Sequence, residues 1–322
     1  MKVAQVWRVM VLALGLALPG LGRAQAPASA PAESPAVVVG VYVPSVAFGD
    51  SMARARFAEA LAANLSQAIG RPVRGKAFAG AGEFFTQVQA NEVDFAVVDA
   101  AVALERGGFT PLAQAQSGGN PARALVLVAQ SPGTVASFAG KSVVLPEGVG
   151  REDRFLANFV LQGQLGAEHF VRQKTVRDAQ AALSLVKLGK ADLTVTWDAQ
   201  ASGLAVVLSS RPAPLPVFVR ARAGVPADVQ AAVAKAAPGL SVGAGPFEGF
   251  GPWNPNGSAL SALRSALGAA PGAARVEPVF APSIGALPTP EVFLGASLSP
   301  GAAPLPPAAD LILVPAPPSD PL

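Results

Sequence analysis

Four short segments gather the residue types that could meet a ligand. Tyr42-Val43-Pro44-Ser45 closes an apolar run and holds the only tyrosine of the chain. Ala79-Gly80-Ala81-Gly82-Glu83 joins two further patterned stretches. Pro146-Glu147-Gly148-Val149-Gly150-Arg151 stands before a helical pattern, and Thr196-Trp197-Asp198 ends a strand-like run. Asp99 holds the matching place after an earlier run. Gly80 and Gly82 permit close backbone approach to a ligand, or simply a tight turn. They make no dinucleotide fingerprint, because Phe85 stands where the third glycine belongs and the loop follows the second strand of its unit. Gly148 and Gly150 could hold an anion through backbone N–H groups, with Arg151 as a bidentate partner. Glu147, Glu152 and Asp153 sit at the same helix start and compete for that place as partners of the helix dipole. Tyr42 and Trp197 could stack on a ligand or fill the core. Asp198 could pair with a cationic group or cap the next segment.

Covalent and metal chemistry is poorly served. The chain has no Cys and one His, His169. Disulfides, thiol nucleophiles, cysteine metal sites and a lipid-bearing cysteine are excluded, as is any multi-histidine metal site. No motif sets a Ser or Asp beside His169. Glu152 and Asp153 are adjacent on a helix and do not face each other. No enzyme activity, metal or cofactor is expected.

The segments that position these residues alternate between strand and helix patterns. Val37–Val43 has the length of a buried strand, and Pro44 ends it. Asp50-Ser51 offers caps to a helix in which Phe57, Leu61, Leu65 and Ile69 recur every four residues, stopped by Gly70. Strands are expected at Val73–Phe78 and Phe95–Val98, with a helix near Glu83–Ala90 between them. Leu125–Ala129 is a further apolar run, and Ser131-Pro132-Gly133 separates it from a second unit. That unit has a strand at Ser142–Leu145 and a helix over Arg151–Leu165 with Phe155 and Phe159 on one face. A short strand at Phe170-Val171, a helix marked by Val176, Ala179, Leu183 and Val186, and a strand at Leu193–Thr196 follow. Leu204–Leu208 is a further apolar run; Pro212, Pro214 and Pro216 punctuate a crossing before a strand at Val217–Val219. Pro226 opens a helix to Ala237 at the favoured first-turn position. Ser258–Leu267 fits a last helix, capped by Asn256 or Ser258. The alternation argues for parallel sheets covered by helices. Such sheets bind ligands beyond the carboxyl ends of their strands, where the four segments and Asp99 lie.

The 322 residues suggest about two domains. Lys2 and Arg8, an apolar run over Val9–Leu18, and Gly22-Arg23-Ala24 read as a secretory signal peptide (1–24) cut after Ala24. The run is too short to span a bilayer. Removing Lys2, Arg8 and Arg23 from 24 basic residues leaves 21 against 21 acidic ones, so the formal charge of +3 belongs to the signal. No Lys/Arg run carries interleaved aromatics, so nucleic acid is not an expected partner. Residues 25–35 read as a flexible leader. Residues 271–322 hold 13 prolines and read as an extended tail with one possible strand at Leu311–Val314.

Residues from Val37 to about Ala237 resemble the type 2 periplasmic solute-binding proteins, specifically the phosphate/phosphite/phosphonate-binding branch of ABC transporters. The resemblance rests on Val39-Gly40-Val41-Tyr42-Val43-Pro44, on Asn91-Glu92-Val93-Asp94-Phe95-Ala96-Val97-Val98, on Ser137-Phe138-Ala139-Gly140-Lys141-Ser142-Val143-Val144-Leu145, and on Val186-Lys187-Leu188-Gly189-Lys190-Ala191-Asp192-Leu193. It implies two α/β lobes, each a mostly parallel sheet flanked by helices, joined by a two-strand hinge that closes on a ligand. Lobe 1 is expected at 36–130 plus 213–270 and lobe 2 at 131–212, with the four segments facing the cleft. Phosphonate binders place a Ser-rich turn at the first helix of lobe 2. Here Pro146–Arg151 has no hydroxyl.

Two function classes follow. The first is a monomeric, unlipidated periplasmic receptor that captures a small molecule for an inner-membrane ABC permease or a sensor. The second is a non-transport envelope protein that uses a degenerate binding fold to hold a partner, which the long tail would serve.

Overall fold

The computed structural model describes residues 36–148, 151–172, 175–243 and 245–269. The signal peptide, the leader, Gly150 and the tail with its possible strand lie outside them. Val37–Tyr42 (β1) is buried at every position but Val38. A strand covered on both faces needs apolar residues throughout rather than at alternate positions. Ser51–Ile69 (α1) returns over it. The Asp50 carboxylate caps this helix by accepting from the Ala53 N–H at 2.6 Å, and Gly70, at φ 65°, ends it. Its stripe of Phe57, Leu61 and Leu65 is buried. Val73–Ala77 (β2), Ala81–Gln89 (α2), Phe95–Val98 (β3), Ala100–Glu105 (α3) and Thr110–Gln116 (β4) follow.

The chain then crosses to a second sheet. It runs through Ala122–Ala129 (β5), Ser142–Val144 (β6), Glu152–Arg154 (α4), Val171–Arg172 (β7), Ala179–Lys187 (α5), Leu193–Trp197 (β8) and Ala205–Pro214 (β9). It returns as Val217–Arg220 (β10), Ala227–Ala236 (α6), Gly249–Pro252 (β11) and Ser258–Gly268 (α7). The strand orders are β11-β4-β10-β3-β1-β2 and β7-β6-β8-β5-β9. Among the described residues, no helix is long and apolar enough to cross a membrane.

Both sheets are mixed. β1 is parallel to β2 and β3, and β6 is parallel to β7 and β8. The strands on either side of a crossing run the other way: β5 is antiparallel to β8, and β10 to β3 and β4. Leu125–Ala129 was expected at the end of lobe 1, but β5 pairs only within the second sheet, so the chain changes sheets at 117–121 and again at 215–216. The last helix, also expected in lobe 1, packs on β9 and on Phe155–Val160 as well as on α3.

Other expectations shift for local reasons. The helix expected over Arg151–Leu165 is one α turn followed by a π turn at Phe155–Val160, and Gln162 and Gly163, both at positive φ, stop it. Phe155 and Phe159 still share a face, with rings stacked at 5.6 Å. Pro212 and Pro214 lie inside β9 rather than between strands, which an edge strand tolerates because one side of its backbone is unpaired. Gly257, not Asn256 or Ser258, caps α7.

β2 lies close enough to α1 that a Cβ on Gly75 would stand 2.2 Å from the Ala58 carbonyl oxygen. Gly75→Ala is therefore expected to cost about 1–3 kcal/mol in urea denaturation. Gly82, in α2, has nothing within 4 Å of that position, and Gly82→Ala is expected to gain about 0.5–1 kcal/mol.

Candidate functional site

The carboxyl ends of β1 and β3 bring Ser45 and Asp99 together. The Ser45 N–H donates to Asp99 Oδ2 at 2.9 Å, and its hydroxyl donates to Oδ1 at 2.7 Å. Trp197, at the end of β8 in the other sheet, donates its indole N–H to Ser45 Oγ at 3.3 Å. More bonds tie the loop after β1 to the second sheet. The Ala179 N–H donates to the Pro44 carbonyl at 2.7 Å. The Gln200 amide accepts from the Ala47 N–H at 3.1 Å and donates to the Ala47 carbonyl at 2.9 Å. Arg54 of α1 meets Asp178 at 2.6 Å, with 8% and 14% of the two side chains exposed. Asp178 also caps α5 through its other oxygen, accepting from the Ala181 N–H at 2.9 Å.

Ser45, Asp99 and Trp197 line a cavity of about 90 Å³, the volume open to water centres. A single water needs only about 10–15 Å³ by that measure, so a small molecule fits. Ser45 and Asp99 form one wall; Glu147, Gly148, Arg151, Glu152 and Trp197 form the facing one. Leu125, Leu145 and Val195 of the second sheet, with Leu263 and Leu267 of α7, make the rest apolar. Arg151 is held by Glu105 of α3 at 2.8 Å. The Glu152 carboxylate accepts from the Gly148 N–H at 3.0 Å.

The electrostatics of this wall are uneven. Burial pushes the Asp99 carboxyl up to about 6, against the two Ser45 hydrogen bonds that favour its charge. Tyr42 lies behind it, 1% exposed, with its ring stacked on Phe84 at 4.9 Å. Burial raises the Tyr42 phenol well above its usual value, and the charges of Asp99, Glu147 and Glu152 raise it further against Arg106. Among the described residues its hydroxyl has no hydrogen-bond partner.

The sequence of this cleft-bearing body decides its kinship. Residues 47–244, more than half of the chain, match the model of the family described as ABC transporter, phosphonate, periplasmic substrate-binding protein. The chain belongs to this family. It is a periplasmic solute-binding protein of the ABC transporter class. A comparison with curated proteins finds no match. The fold is shared with XAC2383 from Xanthomonas citri solved with bound ATP, at 13% identity and TM-score 0.54 over 72% of this chain and 97% of that one. It is also shared with a binding-protein component of an ABC phosphonate transporter from Pseudomonas aeruginosa, at 14% identity and TM-score 0.55 over 68% and 82%.

In this binding protein the structure gathers Ser45, Asp99, Gly148, Arg151 and Trp197 at one cavity. Tyr42 and Thr196 lie buried beneath its walls rather than on them. Gly80, Gly82 and Glu83 stay at the start of α2, whose Phe84 supports Tyr42 instead. Asp198 turns outward to Arg123 at 2.9 Å, because the strand ends at Trp197 and Asp198 opens the short 3₁₀ turn that follows. His169 places Nε2 3.2 Å from the Val135 carbonyl, away from the cavity. Among the described residues no cluster of His, Asp and Glu could hold a metal ion. Leu263 and Leu267 were missed as wall residues, since an i, i+4 leucine pair reads as core.

The Asp99 shift has a sign. Its proton is held more tightly in the folded chain than in the unfolded one, so the stability it contributes is present below its unfolded value of 3.8 and lost as pH rises through about 6. That distance is worth about 3 kcal/mol. Asp99→Asn should abolish this loss, so urea denaturation should find the variant gaining on the parent chain between acidic and neutral pH.

Proposed function

We propose that this chain captures a small solute in the cavity over Asp99, Ser45 and Trp197 and presents it, as an unlipidated monomer cut after Ala24, to an inner-membrane ABC permease. It performs no chemistry on the solute. The observation that carries the reading is the set of bonds between the two lobes beside the cavity, one of which, Trp197 to Ser45, joins two of its lining residues. The loop after β1 reaches the second sheet at Ala179, Trp197 and Gln200, and Arg54 reaches Asp178. Each of these bonds joins the two lobes, so opening the lobes would break them and closing would trap whatever fills the space between. Apolar walls with a few fixed polar groups are the usual make-up of such a site.

Asp178→Asn keeps a capping side chain for α5 but leaves the Arg54 charge without its partner, a loss of about 3 kcal/mol to the closed form. The variant should show a larger radius of gyration in solution scattering. In parallel, a thermal-shift screen of small molecules on the parent chain should yield compounds that raise Tm, and Trp197→Ala should cancel the rise. A screen without any such compound, together with scattering unchanged by Asp178→Asn, would overturn the reading.

A further inference from the structure

We propose that the cleft selects a small organic cation, a protonated amine with an apolar body, over the oxyanions suggested by its family; this rests on the solute-capture reading above. The loop after β1 offers two donors that an oxyanion would need, the N–H and the hydroxyl of Ser45. Both are already donated to Asp99, so the place of the anion is taken by a side chain of the protein. The facing wall repeats the pattern at Gly148, whose N–H donates to Glu152. An incoming phosphonate would have to displace a carboxylate from its donors and then sit against its charge.

The charges around the cavity agree. Among the described residues, Asp99, Glu147 and Glu152 line it against Arg151 alone, and Arg151 is paired with Glu105. Arg106, which is not among the residues lining the cavity, lies over the Phe85 ring at 4.2 Å. The second observation is the Tyr42 hydroxyl. It is buried, has no partner among the described residues, and is acted on by the same three carboxylates. It lies behind the wall rather than on it, and the three carboxylate charges outweigh that of Arg106 there, so the field around the cavity is negative. An ammonium group brings three donors and a positive charge, which suits the Asp99 and Glu147 carboxylates that line the cavity. The Trp197 and Phe155 rings in the wall favour the carbon body and the cation alike.

The test is calorimetric titration and thermal shift of the full chain at neutral pH. The probes are butylamine and benzylamine as cations, and methylphosphonate and methanesulfonate as anions. The amines should bind and raise Tm while the anions do neither. Glu147→Gln and Asp99→Asn, each checked for an intact fold by circular dichroism, should weaken amine binding by about tenfold or more, equivalent to about 1.4 kcal/mol. Amine binding that both variants leave unchanged would put the cation elsewhere and overturn the assignment. If no amine binds but an anion or a neutral compound from the screen does, the cation assignment falls and solute capture stands. If nothing in the screen binds and Asp178→Asn leaves the scattering unchanged, both fall.

Discussion

One carboxylate fixes the loop through which the two halves of this molecule meet. Asp99 takes both donors of Ser45, and Ser45 takes the indole N–H of Trp197 from the opposite sheet. The chain of bonds runs from β3 through the loop after β1 to the end of β8. It is assembled at low solvent exposure, where hydrogen bonds to a charged group are strong and an unmatched charge is costly. Two donors do not fully offset the burial, and the carboxyl remains reluctant to ionise. Groups left in that condition recur at functional sites, because a partner arriving from outside can complete them.

The rest of the architecture serves this junction. The backbone passes between the sheets at 117–121 and 215–216, and α7 comes back to lie against β9 and the π turn. The crossing segments tether the sheets through the backbone, while the bonds at Ala47, Arg54 and Ser45 fasten them through side chains. The tethers are covalent and the fasteners are polar, so the fasteners are the contacts that can be exchanged with water.

Much of the fold was legible because burial writes itself into composition. β1 and β3 are continuous apolar runs, and α1 carries its stripe at four-residue spacing with a cap at each end. β4 was not legible: Thr110-Pro111-Leu112-Ala113-Gln114-Ala115-Gln116 buries alanines and a glutamine, which carry little hydrophobic signal. β11 is Gly-Phe-Gly-Pro and reads as a turn. Sheet membership was illegible at β5, since an apolar run says that a strand is buried and not which neighbour it joins. At the site, Ser45 and Asp99 could be named because strand ends are where open sheets bind. Their mutual hydrogen bonds could not be read, because 54 residues separate them. That pairing, more than any missing hydroxyl in Pro146–Arg151, is what sets the character of the cleft.

The prolines of β9 have an effect beyond the strand they sit in. Among the described residues β9 is the last strand of the second sheet, and a free strand edge is a template for a neighbouring chain. Pro212 and Pro214 have no N–H to offer there. An intruding strand would find its ladder interrupted twice within three residues. The sheet thereby carries its own guard against edge-to-edge growth, which matters most for a chain that must stay dispersed in a crowded compartment while its cleft stands open.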